Sequence, residues 1–390
     1  MTPRRILLIN HEYPPLGGSG GNATRHLAKG LAQLGHSPYV LTSAWDGLPS
    51  MEEVDGVVIK RIPAGRRDLR HITPGEGARF VAAATWAAPP LVAEWKIDAT
   101  LAFFSMPGAP VGWLLRRRCG LPYVLALQGG DVPRRDPERM TLSDRLTDKI
   151  TRRLWADAGA VVANSENLLE QALSYAPDCA VEVIPGGADV YGITPKEDYT
   201  PRVDVHLLYV GRLEKHKGFD ILMPALAKLT SALKWKLALV GDGPEWPVIA
   251  AMAARLALID RIELHGWQGW NTLPVLYRNA DVFVLPSREE GMPAALLEAM
   301  ATGLPVVCTR IAGAGAGEAV LHGTTGLLTP ADDGNALADA LTQIMADPTR
   351  WEAIGRAGRA RIESYYSWTR AAEKWLEVIE RTIAATKAPV

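Results

Sequence analysis

Two carboxylates, Glu290 and Glu298, stand eight positions apart in the run SREEGMPAALLEAMATGLPVV that begins at Ser287. Their neighbours are small or apolar. An ionised carboxylate only accepts hydrogen bonds, so acids placed among apolar residues suit a ligand rich in hydroxyl groups, such as a sugar or a ribose. Pro293 followed by the helix-forming stretch Ala294 to Ala301 predicts a helix start. That places Glu298 in the first turns and Glu290 in the loop ahead of them, beside the backbone of Gly291 and Met292. The dipole of such a helix favours an anion at its N-terminus. The plainer alternative makes Glu290 part of a capping arrangement and Glu298 a surface ion-pair partner, although the flanking Ala, Leu and Met residues argue against a fully solvated face.

Three other segments carry groups of the same kind. In VGRLEKHKGFD, residues 210–220, Arg212 and Lys217 follow Gly211 and flank a turn that Gly218 ends. A guanidinium and an ammonium at the end of a strand neutralise a diphosphate, bidentately in the case of Arg212; taken alone, the segment is equally a solvated basic turn. In HEYPPLGGSGG, after the first apolar run, glycines let backbone N–H groups approach an anion and the next helix adds its positive end. An ordinary tight turn is as good a reading of that loop. Its spacing is not G-x-G-x-x-G and no acid ends the second strand, so the dinucleotide fingerprint is absent. In LQGGDVP, residues 127–133, Asp131 either orients a hydroxyl or closes an Asx-type turn.

These segments need a scaffold that brings strand ends together, and a doubly wound sheet binds ligands at the carboxyl ends of its strands. Apolar runs predict strands at 6–10, 39–43, 57–62, 100–103, 123–127, 160–163 and 181–184, then at 207–211, 236–240, 262–265, 282–285 and 306–309. Most are apolar throughout, as for parallel strands covered on both faces, and helical patterns separate them. After GGSGG, the run NATRHLAKGLAQLG sets Ala23, Leu27, Leu31 and Leu34 on one stripe, with Gly35 as the C-cap. Gly186–Asp204 lacks periodicity and is rich in Gly, Pro and charge, which predicts a linker. The expected architecture is α/β, with two Rossmann-like doubly wound units in series: residues 1–195, then 196–367. A terminal helix from Trp368, with an apolar stripe at Ala371, Ala372, Trp375, Leu376 and Ile379, is expected to pack back on the first unit.

Composition narrows the function. The chain has 390 residues, 48% hydrophobic and 22% charged, a soluble globular balance of two-domain size. A net charge of −1 gives no electrostatic footprint for nucleic acid. Cys119, Cys179 and Cys308 lie far apart without metal-ligand spacing, which suits reduced thiols in a cytoplasmic protein. The N-terminus MTPRRILLIN reads as a first strand, not a secretory leader.

The chain resembles the retaining glycosyltransferases of the GT-B fold, family four. The residues that carry the resemblance are EGMPAALLE, which fits the E-x7-E signature, with GRLEKHKG, VGDGPEWP, ADVFVLPS, EAMATGLPVV and HGTTGLLTP in the family's order. The resemblance implies two Rossmann-like domains facing across a cleft, and transfer of a sugar from a nucleotide diphosphate sugar to a hydroxyl acceptor, lipid-linked or an oligosaccharide. It implies that Arg212 and Lys217 hold the donor diphosphate, that Glu290 binds the transferred sugar and that Glu298 binds the ribose. It also implies that Gly211, Gly291, Met292 and the backbone near Trp267 meet the donor, that Gly18 and Ser19 stand for the family's paired glycines, and that Asp131 acts beside Gln128. Many relatives have His at the position of Gln128, and IPGGAD has Gly186 where Asn is more usual. The implied scheme needs no enzymatic nucleophile, no cofactor and no metal.

Between Lys60 and Arg118 there are ten Lys and Arg against four Asp and Glu, with Trp86, Trp95 and Trp113 among them. GWLLRRR at 112–118 is either an ordinary solvated helix end or part of a peripheral surface for an anionic membrane. Two other functions share this fold class. A nicotinamide oxidoreductase lacks support without the fingerprint, and a non-catalytic nucleotide-sugar-binding or assembly subunit would be expected to lose charged site positions that are all present here.

Overall fold

The computed structural model describes residues 2–69, 71–129, 132–133, 142–230, 233–269, 271–311 and 315–387. The chain divides into two compact units, Met1–Gly186 with Trp368–Val390, and Gly187–Ser367. The division thus falls ahead of the expected 195, because Ala188, Val190 and Ile193 are buried in the core of the second unit.

In the first unit the strands are β1 (Arg5–Ile9), β2 (Ser37–Ser43), β3 (Met51–Val54), β4 (Val57–Ile62), β5 (Ala99–Phe103), β6 (Tyr123–Ala126), β7 (Ala160–Ala163) and β8 (Val181–Val183). They form one sheet in the order β3-β4-β2-β1-β5-β6-β7-β8. Every pairing is parallel except that of β3 with β4. Helices α1 (Ser19–Gln33), α2 (Pro74–Trp95), α3 (Ala109–Cys119), α4 (Leu142–Ala156) and α5 (Glu166–Tyr175) link the strands. A capping box between Thr73 and Glu76 starts α2, satisfying two of the free N–H groups at its end.

Helix α1 begins earlier than the apolar stripe implied, at Ser19, so Gly20 and Gly21 belong to its first turn and not to the preceding loop. Both glycines are required by close packing. A Cβ on Gly20 would lie 2.5 Å from the Phe104 ring, and one on Gly21 would lie 2.8 Å from the Leu16 carbonyl oxygen. The C-terminal helix, Trp368–Lys387, covers α1. Its Ala371, Ala372, Trp375, Leu376 and Ile379 are buried with Leu27 and Leu31 in one apolar cluster. The run at 112–118 ends α3, where Trp113 Nε1 donates to Asp157 Oδ2 at 2.8 Å, Arg116 donates to the Asp157 carbonyl, and Arg117 lies 5.3 Å over the Trp113 ring. Among the described residues no helix is long and apolar enough to cross a membrane.

The second unit contains β9 (Val205–Val210), β10 (Trp235–Val240), β11 (Ile262–Gly266), β12 (Val282–Leu285), β13 (Val306–Arg310) and β14 (Leu327–Pro330), all parallel in the order β11-β10-β9-β12-β13-β14. Its helices are α6 (Phe219–Ala227), α7 (Trp246–Arg255), α8 (Leu273–Asn279), α9 (Ala294–Thr302), α10 (Gly315–Ala319), α11 (Gly334–Ala346) and α12 (Trp351–Tyr365). The core strands β9, β12 and β13 carry Leu207, Leu208, Tyr209, Val282, Phe283, Val284, Val306 and Val307, all buried. This is the two-face covering that their unbroken apolar character predicts.

Candidate active site

In the second sheet β9 lies between β10 and β12. Chain connections leave these neighbours in opposite directions, which opens a crevice at their carboxyl ends. The loops that follow β9 and β12 meet there. Residues Lys215–Lys217 make a single tight turn that ends at Gly218, whose φ of 74° lies in the left-handed region. A Cβ on Gly218 would stand 2.1 Å from the Pro286 carbonyl oxygen, so only glycine lets the two loops touch.

That contact brings three side chains together. Lys217 Nζ lies 2.6 Å from Glu290 Oε1, and Ser287 Oγ donates to the same oxygen at 2.7 Å. Both members of the ion pair are nearly buried, with side-chain exposures of 12% and 10%. Low exposure strengthens their attraction while raising the cost of leaving either one alone. Glu290 is therefore no helix cap: α9 starts after Pro293 with no side-chain cap bond.

Arg288 braces the same two loops. Its backbone N–H donates to the His216 carbonyl at 2.8 Å, and its guanidinium reaches the Lys215 carbonyl at 3.1 Å. It also makes a bidentate pair with Asp220 at 2.8 and 2.7 Å and a bond to Asp332 at 2.5 Å. Asp332 holds a left-handed φ of 62°, unusual for a residue other than glycine. The guanidinium holds the Asp220 carboxyl below its ordinary value.

Arg212 follows β9 but is 67% exposed and pairs with Glu214 at 2.6 Å. The structure brings Lys217 and Glu290 into contact; it pairs Arg212 separately. Glu298 sits in α9, where the Tyr277 hydroxyl donates to its Oε2 at 2.8 Å. It is no surface ion-pair partner. Burial pushes the Glu298 carboxyl up, and the Tyr277 hydrogen bond opposes that shift. Tyr277, at the end of α8, is itself pushed well above the ordinary tyrosine range, first by burial and then by the Glu298 charge. Gly291 is exposed, Met292 half-buried, and Trp267, after β11, is 64% exposed.

In the first unit, Gly18 is the N-cap of α1 and Ser19 its first residue. The Gly18 N–H donates to Glu12 Oε2 at 3.3 Å. Gln128 is half-buried past the end of β6, and Asp131 lies outside the described residues. Ser287, Tyr277 and Arg288 were not among the expected site residues. Ser287 and Arg288 fall within the quoted run around Glu290, but nothing in their spacing marks their partners.

A family model described as "Glycosyl transferase 4-like domain" matches residues 18–187, and one described as "Glycosyl transferases group 1" matches residues 204–347. A D-inositol 3-phosphate glycosyltransferase of Thermobispora bispora is 28% identical over 412 residues, covering 95% of this chain and 92% of its own. A GDP-mannose-dependent alpha-(1-6)-phosphatidylinositol monomannoside mannosyltransferase of Mycolicibacterium smegmatis is 27% identical over 408 residues, covering 98% of this chain and all of its own. Among solved structures, a sucrose-phosphate synthase from Thermosynechococcus elongatus superposes with a TM-score of 0.80 at 25% identity, covering 98% of this chain and 100% of that one.

Proposed function

The chain belongs to the group 1 glycosyltransferases with the GT-B fold, and from that premise we propose that it moves a sugar from a nucleotide diphosphate sugar to a hydroxyl acceptor with retention at the anomeric carbon. The observation that carries this reading is the contact of Lys217, Glu290 and Ser287 at the crevice between β9 and β12. In this reading the cation serves the diphosphate and the neighbouring carboxylate a sugar hydroxyl, so that charge and alcohol would be held side by side. The name of the Mycolicibacterium relative, with its GDP-mannose dependence, supports a donor of this class.

In this scheme Lys217 and Arg212 hold the donor diphosphate and stabilise the negative charge that grows on it as the sugar–oxygen bond breaks. Glu290, fixed by Ser287, accepts a hydrogen bond from the transferred sugar, and Glu298, fixed by Tyr277, accepts from the ribose. The backbone of Gly291 and Met292 meets the sugar and phosphate, and the backbone near Trp267 meets the base. The acceptor hydroxyl attacks from the face that the diphosphate leaves, and the departing phosphate oxygen takes its proton. Cationic side chains serve the leaving group, so the scheme asks for no metal. Gly18, Ser19, Gln128 and Asp131 are assigned to the reaction by family resemblance alone.

The test is a melting-temperature panel of nucleotide sugars, since a ligand that binds only the folded state raises that temperature, followed by NMR of the product. A donor that stabilises the chain, is consumed with acceptor and gives the same anomeric configuration supports the proposal. No stabilising nucleotide sugar, or an inverted anomer, refutes it.

A further inference from the structure

Both side chains assigned to the donor diphosphate are already paired with carboxylates of the chain. Lys217 Nζ lies 2.6 Å from Glu290 Oε1, and Arg212 Nη1 lies 2.6 Å from Glu214 Oε1. Glu290 serves the transferred sugar in the transfer scheme. Glu214 has no part in it, although it stands against one of the two cations.

The pairing follows from the way the chain leaves β9. Leu213 is fully buried, and its N–H donates to the Asp242 carbonyl at 2.9 Å. Glu214 is extended, with φ −121° and ψ 156°, and in an extended chain side chains two positions apart share a side. Arg212 and Glu214 therefore project together, away from the core that holds Leu213. Tyr209 Oη donates to the Arg212 carbonyl at 3.0 Å, which ties the main chain down. Movement at this corner is left to the side chains.

Charge and exposure decide which pair gives way. The Lys217 ammonium has three N–H donors, so it can keep Glu290 and still meet a phosphate. Its pair is also nearly buried, with side-chain exposures of 12% and 10%, and parting it would strand a poorly solvated charge. Arg212 and Glu214 are 67% and 27% exposed. Water solvates both once they part, and such a pair changes an equilibrium constant by at most about fivefold. A carboxylate and a phosphate on one guanidinium repel each other, so the two compete for it. Glu214 Oε2 lies 3.4 Å from His216 Nδ1, which leaves the carboxylate a polar neighbour when Arg212 turns away.

We propose that Glu214 is a built-in competitor of the donor diphosphate: it holds the Arg212 guanidinium and yields it when the diphosphate arrives. It thereby weakens nucleoside diphosphate binding and favours release of the spent nucleotide, since differences in affinity at one site lie mostly in the dissociation rate. The inference rests on the transfer reading, which puts the diphosphate at Arg212 and Lys217, and adds a residue that tunes how tightly they hold it.

The test is isothermal titration of the full chain with UDP and with GDP in separate arms, at protein concentrations high enough to read weakened complexes. Glu214→Gln keeps the shape of the side chain and removes its charge, and it should bind the nucleoside diphosphate about three- to fivefold tighter than the parent. Added to Arg212→Met, the same substitution should leave the affinity nearly unchanged, because Glu214 then has no guanidinium to withhold. Equal or weaker binding by Glu214→Gln overturns the proposal. An equal gain in the Arg212→Met background also overturns it, since Glu214 then acts only as a repelling charge. If the parent binds neither nucleoside diphosphate, the transfer reading falls and the inference with it. Binding by the parent that Glu214→Gln does not tighten removes the inference alone.

Discussion

Replacing Glu298 by Gln removes a charge and keeps the shape, and the structure sets opposite effects on stability and on binding. The Gln carbonyl oxygen can accept the hydrogen bond that Tyr277 now gives to Oε2 at 2.8 Å. Burial raises the carboxyl above its ordinary value, outweighing that bond, so the folded state holds the proton more tightly than the unfolded chain. The resulting stability is complete below the unfolded pKa of about 4.3 and is lost as pH rises through the folded value. At pH 7 the ionised side chain is a net cost that Gln lacks. Glu298→Gln should therefore melt above the parent at pH 7 to 8, with the advantage vanishing near pH 4. For binding, a hydrogen bond to a charged group contributes about 1.5–3 kcal/mol and a neutral one about 0.5–1.5. Two ribose hydroxyls then lose about 2–3 kcal/mol together, a roughly 30- to 150-fold weaker nucleoside diphosphate complex. Scanning calorimetry across pH and isothermal titration read the two effects separately. Equal melting at pH 8 would refute the burial argument, and an unchanged dissociation constant would refute the ribose contact.

Arg288→Met cuts the brace between the Lys217 and Glu290 loops and should lower kcat/KM about 100-fold, as small misplacements of reacting groups do, while steady-state kinetics with Arg288→Lys show partial rescue. Asp332→Asn keeps a residue tolerant of the left-handed backbone but loses the charge opposite Arg288; its unfolding free energy should stay within about 1 kcal/mol of the parent, and kcat should fall severalfold. Ile379→Ala opens a cavity at a fully buried position of the C-terminal helix and should cost about 2–5 kcal/mol in denaturant titration. Gly20→Ala drives a methyl group into the Phe104 ring, and a loss of about 1–3 kcal/mol is expected by the same assay.

Much of the fold was legible because burial on both faces leaves a continuous apolar run. Val57–Ile62, Ala160–Ala163 and Val282–Leu285 occupy the expected bounds. Strand β3 was missed for the converse reason: MEEV is mostly exposed and pairs antiparallel at the sheet's edge, so it carries no apolar signal. β14 is only four residues long and ends in Pro, and its sequence stood out only as part of a motif. The start of α1 was misplaced because glycines that normally mark a loop are needed there for contact with Phe104 and Leu16. At the candidate site, Glu290 stood out as a carboxylate in small and apolar company, and Lys217 as a cation on a basic turn at a strand's end. Their supports did not. Tyr277 reaches Glu298 across 21 positions and Arg288 reaches Asp220 across 68, and no local spacing records such a pairing.

The first unit is interrupted in sequence, since its last helix begins only at Trp368, after the whole of the second unit. A ribosome releases the chain in that order. At ordinary synthesis rates of 5–20 residues per second, roughly 17–67 s separate emergence of α1, which ends at Gln33, from that of the helix that seals it, which starts at Trp368. During that interval Leu27 and Leu31 lack their cover while residues 187–367 are still being made. The beginning of the nascent protein thus waits for its last helix until the whole middle has been made.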